Sequence, residues 1–149
     1  MVKKIKNNDK DTLSRSDITN SKPTHIKFNF SFITANNEFC FENGEFNDAH
    51  KLKLLERILT LSQETLVTVL NYKKNIGIEF IPKEQCREVG YNPRFTDAEH
   101  RKKEVDGKYA VFRIYQNNNP LPSRAIGKLI NNVFYILFID LNHKMYKSS

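Results

Sequence analysis

Three segments near the C-terminus decide the fold: Tyr109–Tyr115 (YAVFRIY), Arg124–Ile130 (RAIGKLI) and Val133–Ile139 (VFYILFI). The last is apolar throughout, as a central strand covered on both faces must be. Asn131-Asn132 separates it from Arg124–Ile130, and two asparagines are a two-residue hairpin signal. A loop of that length fixes the register. It places Ile130 opposite Val133, Lys128 opposite Tyr135, Ile126 opposite Leu137 and Arg124 opposite Ile139. Arg124 then lies at the open end of the hairpin, where Asp140 and His143 follow the last strand.

Upstream, His25–Ile33 (HIKFNFSFI) alternates Ile26, Phe28, Phe30 and Phe32 with polar residues and predicts a strand with one buried face. Asn36-Asn37 marks a turn, and Phe39 with Phe41 predicts a short return strand. Helices are expected at about 48–61 and 63–73, capped by Asn47 or Asp48 and by Ser62, as a helical hairpin. The first has a broad apolar face of Leu52, Leu55 and Leu59 with Leu54, Ile58 and Leu61, and Arg57 falls outside it. Ile76–Ile81 alternates as a strand. Residues 82–107 are polar and irregular, and Thr96-Asp97-Ala98-Glu99 is a capping-box pattern for a charged helix, Asp97–Val105.

The expected architecture is α+β: an antiparallel sheet with a helical hairpin packed on one face, as a single domain over 25–149. Residues 1–24 read as a basic, disordered tail, because Lys, Asn, Asp, Ser and Thr dominate them without apolar period. Charge follows this division. The net charge is +7, but 1–30 carry seven basic against three acidic residues, 31–104 eleven against twelve, and 105–149 six against two. Basic ends suggest a polyanionic partner, with nucleic acid the commonest. No apolar run reaches the length of a membrane span, and nothing resembles a secretory signal. Cys40 and Cys86 are too few and too far apart for a disulfide framework, so a reducing cytoplasm is expected. The four histidines are scattered, so neither a metal site nor a cofactor is expected. Phosphate-binding glycine loops and hydrolase elbows are absent.

Chemistry concentrates at the end of the final hairpin. An imidazole at His143 titrates near neutrality and suits proton transfer to or from a ribose hydroxyl; equally, Asp140 and His143 can close a turn. Arg124 can place two donors on a phosphate, or form an ion pair with Asp140. Arg113 lies on the strand face of Tyr109, Val111 and Tyr115, where stacking and charge hold single-stranded nucleic acid; a solvated sheet face reads the same way. Lys128, Tyr135, Lys144 and Tyr146 complete the candidate substrate-binding set. Arg101-Lys102-Lys103 fits an ion-paired helix face.

The residues from Arg124 through Tyr146 form the pattern R-x-x-G-x6-F-Y-x4-D-x-x-H-x-x-Y. It resembles that of a group of small bacterial proteins, many of which have proline where this chain has Leu141. A Phe-rich first strand and a helix like Leu54-Leu55-Glu56-Arg57-Ile58-Leu59 extend the likeness. The element order is also similar to that of RelE/ParE-type toxins, whose RelE branch cleaves messenger RNA on the ribosome. The chain departs from them in the return strand and the long 82–107 segment. The resemblance implies an endoribonuclease of the mRNA interferase type, with RNA or the ribosome as target and an acidic antitoxin as partner. Arg124, His143 and Tyr146 map onto the phosphate-contacting positions. Two alternatives remain open: a non-enzymatic mobile-element protein that binds and inhibits a host or phage protein, and a plain nucleic-acid-binding module.

Overall fold

The computed structural model describes residues 24–147; the expected tail lies almost entirely outside them. In chain order the elements are β1 (Lys27–Asn29), α1 (Asp48–Ser62), α2 (Leu66–Asn71), β2 (Glu79–Ile81), α3 (Glu99–Lys102), β3 (Tyr109–Arg113), β4 (Arg124–Ile130) and β5 (Val133–Asp140). They form an α+β fold around one five-stranded sheet in the order β1-β5-β4-β3-β2. β2 to β5 are an antiparallel meander. β1 pairs parallel with β5, so the sheet is mixed where an antiparallel one was expected.

The hairpin forms as its turn predicts. Asn131 adopts a left-handed conformation at φ 58°, which asparagine tolerates better than most residues. The register starts as expected, with Ile130 opposite Val133 and Lys128 opposite Tyr135, but shifts by one between Ile126 and Gly127. Beyond this bulge Ile126 faces Phe138, and Arg124 faces Asp140 rather than Ile139. Gly127 makes the shift feasible: a Cβ there would run into the carbonyl of Tyr135. β5 is buried from Phe134 to Asp140, as its unbroken apolar run requires.

β1 is shorter than its alternation suggests. The Asn29 side chain accepts from the Ser31 amide at 2.8 Å and turns the chain away after three paired residues. Ile26 and Phe28 therefore join the core on the helical side, Phe32 joins the opposite one, and Phe30 is left 45% exposed. No return strand forms at 39–41. Residues 34–39 instead run along β5 as irregular chain ending in a turn, with the Thr34 amide donating to Leu137 O and the Ile139 amide to Phe39 O, both at 2.9 Å. This loop covers the edge of β5 that short β1 leaves unpaired.

α1 and α2 lie on one sheet face, as expected, through Leu54, Leu61 and Val69 against Ala110, Phe112, Phe134 and Ile136. Asn47 caps α1 by accepting from the His50 amide at 3.1 Å. Thr65, not Ser62, caps α2. The buried face of α1 is Leu54, Arg57 and Leu61: Leu54 and Leu61 belong to the expected apolar face, Arg57 was expected outside it, and Leu52, Leu55 and Leu59 lie about half a turn away. Arg57 is tolerated inside because Nε donates to Arg113 O at 2.9 Å and Nη2 to Ile76 O at 3.2 Å. Leu52, Leu55 and Leu59 are 57%, 59% and 58% exposed.

Residues 82–107 are folded rather than irregular surface, for they cover much of the other sheet face. Phe95, Val89 and Tyr91 pack there with Phe32, Tyr109, Tyr135 and Phe138. The expected helix over 97–105 shrinks to a 3₁₀ turn at Pro93–Asp97 and α3. The capping box fails because Thr96 Oγ1 donates back to Pro93 O and the residue that caps α3 is Ala98. Arg101 belongs to this layer: its guanidinium lies over the Phe32 ring at 4.4 Å, and Nε donates to Phe95 O at 2.7 Å.

Candidate functional site

The open end of the meander gathers basic groups on the face opposite the helices. Arg113 and Arg124 are directly opposed on β3 and β4, and Arg124 is opposed by Asp140 on β5. The three make one rung across the sheet. Their ionic partnership is not the expected one. Asp140 accepts the Lys144 amide at Oδ1 and the Met145 amide at Oδ2, both at 2.8 Å, and so folds the C-terminal turn. Among the described residues neither arginine forms an ion pair within 4.0 Å. Burial pushes the Asp140 carboxyl up, against the pull of those two amides and of His143 and Arg124.

Arg124 is 2% exposed. Nε donates to the Tyr146 hydroxyl at 3.2 Å, and Nη1 to Asn118 Oδ1 at 2.8 Å and to the carbonyls of Pro122 and Ser123. It ties the C-terminal turn to the β3–β4 loop. Arg113 is half-buried and donates from Nη1 to Gln116 O at 2.9 Å. It is the more accessible of the two.

The turn made by Asp140 carries His143 back over this rung. His143 is half-buried, has φ 56°, and its ring lies 4.6 Å from that of Tyr146. Burial lowers its pKa, and the neighbouring charges of Arg124 and Arg113 lower it further, while Asp140 and Glu79 oppose them. The neutral imidazole is therefore the favoured form at neutral pH. Burial holds Tyr146 as a phenol, raised further by Glu79 and Asp140 while Arg124 opposes. The arrangement thus offers a half-exposed cation, a buried cation behind it, a neutral imidazole and a fixed phenol.

The other expected site residues lie elsewhere. Lys128 and Tyr135 face one another near the closed end of the hairpin. Lys128 Nζ donates to Gly107 O at 2.7 Å and lies 4.5 Å from the Tyr109 ring centre, so it anchors residues 105–108. Burial lowers its pKa to about 8. Tyr135 is buried against Phe95 and Phe32. Tyr109 and Val111 are buried too, so Arg113 does not sit on an open stacking platform. Lys144 lines a separate cavity of about 140 Å³ with Glu38, Glu45 and Asp140.

Glu79 and Asn118 were not singled out in the sequence. Glu79 is the polar position in the alternation of Ile76–Ile81, and its strand pairing sets it opposite Val111, on the arginine face. Asn118 takes a left-handed conformation in the Asn- and Pro-rich loop, φ 59°. Periodicity marks the first faintly; only the folded loop marks the second. Cys40 is buried, Cys86 is half-buried and both are free thiols. Burial pushes the Cys86 thiol up to about 11, which leaves it protonated and unreactive. Among the described residues no cluster of His, Cys, Asp and Glu has the form of a metal site, and no helix is long and apolar enough to cross a membrane. The chain matches no family model, no curated protein and no solved structure.

Proposed function

We propose that the open end of the meander binds an RNA phosphodiester and cleaves it without a metal, as the resemblance to RelE-type toxins implies. The observation that carries this reading is the rung of Arg113 and Arg124, two like charges directly opposed, with Asp140 bonded to backbone amides and a neutral His143 folded over them. Opposed like charges destabilise a sheet unless an anion offsets them. Arg113 meets the phosphate. Arg124 adds field from behind and holds Tyr146 and Asn118 in place. His143 takes the proton of the 2′-hydroxyl, whose oxygen bonds to the adjacent phosphorus. The bond to the 5′-oxygen breaks, water protonates that leaving group, and a 2′,3′-cyclic phosphate remains.

The test is incubation of the protein with ribosomes and messenger RNA in excess chelator. Cleavage with cyclic-phosphate ends, lost by more than tenfold in His143→Ala and in Arg113→Ala, is expected. Wild-type protein that leaves RNA intact, or His143→Ala that cleaves as well as wild type, defeats the reading. The cytoplasm is the compartment this activity requires.

A further inference from the structure

We propose that the apolar face of α1 is the interface of a two-fold dimer of this chain. Leu52, Leu55 and Leu59 stand three and four residues apart, the spacing of a helix–helix seam, and each is more than half exposed. They point away from the sheet, since Leu54, Arg57 and Leu61 occupy the buried side of the helix. Beside them runs a groove of about 670 Å³ lined by Phe30, Ile33, Phe41, Leu55 and Ile58. With Phe30, the three leucines expose on the order of 400 Å² of apolar surface, the size of the largest patch on a typical monomer, which is often functional.

Charge selects the occupant. The polar residues around this face are Asp48, Lys51, Lys53 and Glu56 on the helix, with Glu42 on the groove wall. The face is thus close to neutral on a chain of net charge +7. It offers no field to an acidic partner or to RNA, and it does not repel a second copy. It is also self-complementary. Lys53 and Glu56 pair at 3.7 Å on one flank of the leucine stripe. When two copies of α1 cross antiparallel about an axis near Leu55, that flank meets its own counterpart. Each lysine then reaches the glutamate of the other copy, while Leu52 meets Leu59. A two-fold interface requires this property of a patch that must match itself.

Sedimentation of the 149-residue chain up to about 100 µM tests the proposal. A concentration-dependent dimer is expected. Leu55→Glu should weaken it more than tenfold while keeping the wild-type circular dichroism, because the side chain is exposed. Lys53→Glu should weaken it, and Lys53→Glu with Glu56→Lys should restore it. Wild-type protein that stays monomeric throughout assigns the face to another occupant and overturns the proposal. So does a dimer indifferent to Leu55→Glu, or a charge reversal that the double exchange does not rescue.

Discussion

Arg113 and Arg124 oppose each other on neighbouring strands, yet they do different work. Arg124 is built into the C-terminal turn, whereas Arg113 holds one carbonyl and faces water. Arg113→Ala should therefore leave the thermal midpoint unchanged or slightly raised, while weakening RNA binding; differential scanning fluorimetry and filter binding separate the two. His143 gives a pH signature. Its folded pKa is depressed, so below the ordinary histidine value of about 6.5 the unfolded chain binds more protons than the folded one. Stability should fall as pH drops through that value. Urea midpoints near pH 7 and pH 5.5 should differ more for wild type than for His143→Ala. Asp140, raised by burial, acts in the opposite sense at lower pH. Gly127 is the third informative residue. With no room for a Cβ against the Tyr135 carbonyl, Gly127→Ala should cost about 3 kcal/mol in urea unfolding.

Among the elements, the β4–β5 hairpin is legible because its turn, length and apolar run all agree. The bulge within it is not, since one glycine in a strand does not announce a register shift. α1 shows the same division. Its start is readable from Asn47, and Asn47→Ala should cost about 1 kcal/mol. Its buried side is unreadable, because leucines lie on both sides of the wheel and the choice depends on carbonyls brought up from β3 and from Ile76. Arg57 looked like a surface residue for that reason. Arg57→Ala should cost about 3 kcal/mol by chemical denaturation, as it empties a buried position and takes the Arg57 donors from two part-buried carbonyls. The 82–107 segment misled in the same way: its polar composition conceals Phe95 and Tyr91, which cover much of a sheet face. Of the site, the convergence of Arg124 with Asp140 and His143 was readable from the hairpin, and Tyr146 entered only through the resemblance. The removal of Lys128 and Tyr135 into the core was not, because it requires a layer that periodicity does not reveal.

Across the whole molecule, charge and apolar surface are separated. The basic rung lies on the face opposite the helices, and the neutral leucine stripe lies on the outer side of α1. Binding to RNA and binding to a second copy should therefore respond to different conditions. RNA affinity should fall steeply with salt, and Arg113→Ala should reduce the logarithmic slope by about 0.7, one phosphate contact on a single strand. Self-association through the leucine stripe should change little over the same salt range. Fluorescence anisotropy and sedimentation, run in parallel, check both.

The pairing of β1 with β5 bears on when the protein comes into being. Asn132 holds the carbonyl of His25, 107 residues earlier in the chain. The strand on which both apolar layers rest follows every other described strand in the chain, so the sheet cannot close before β5 is in place. Contacts this distant slow folding, because a long loop must be ordered before they return any stability. A chain ended at Ile130 should show no cooperative unfolding transition. Whatever this protein does to its target, it begins only after β5 has met β1.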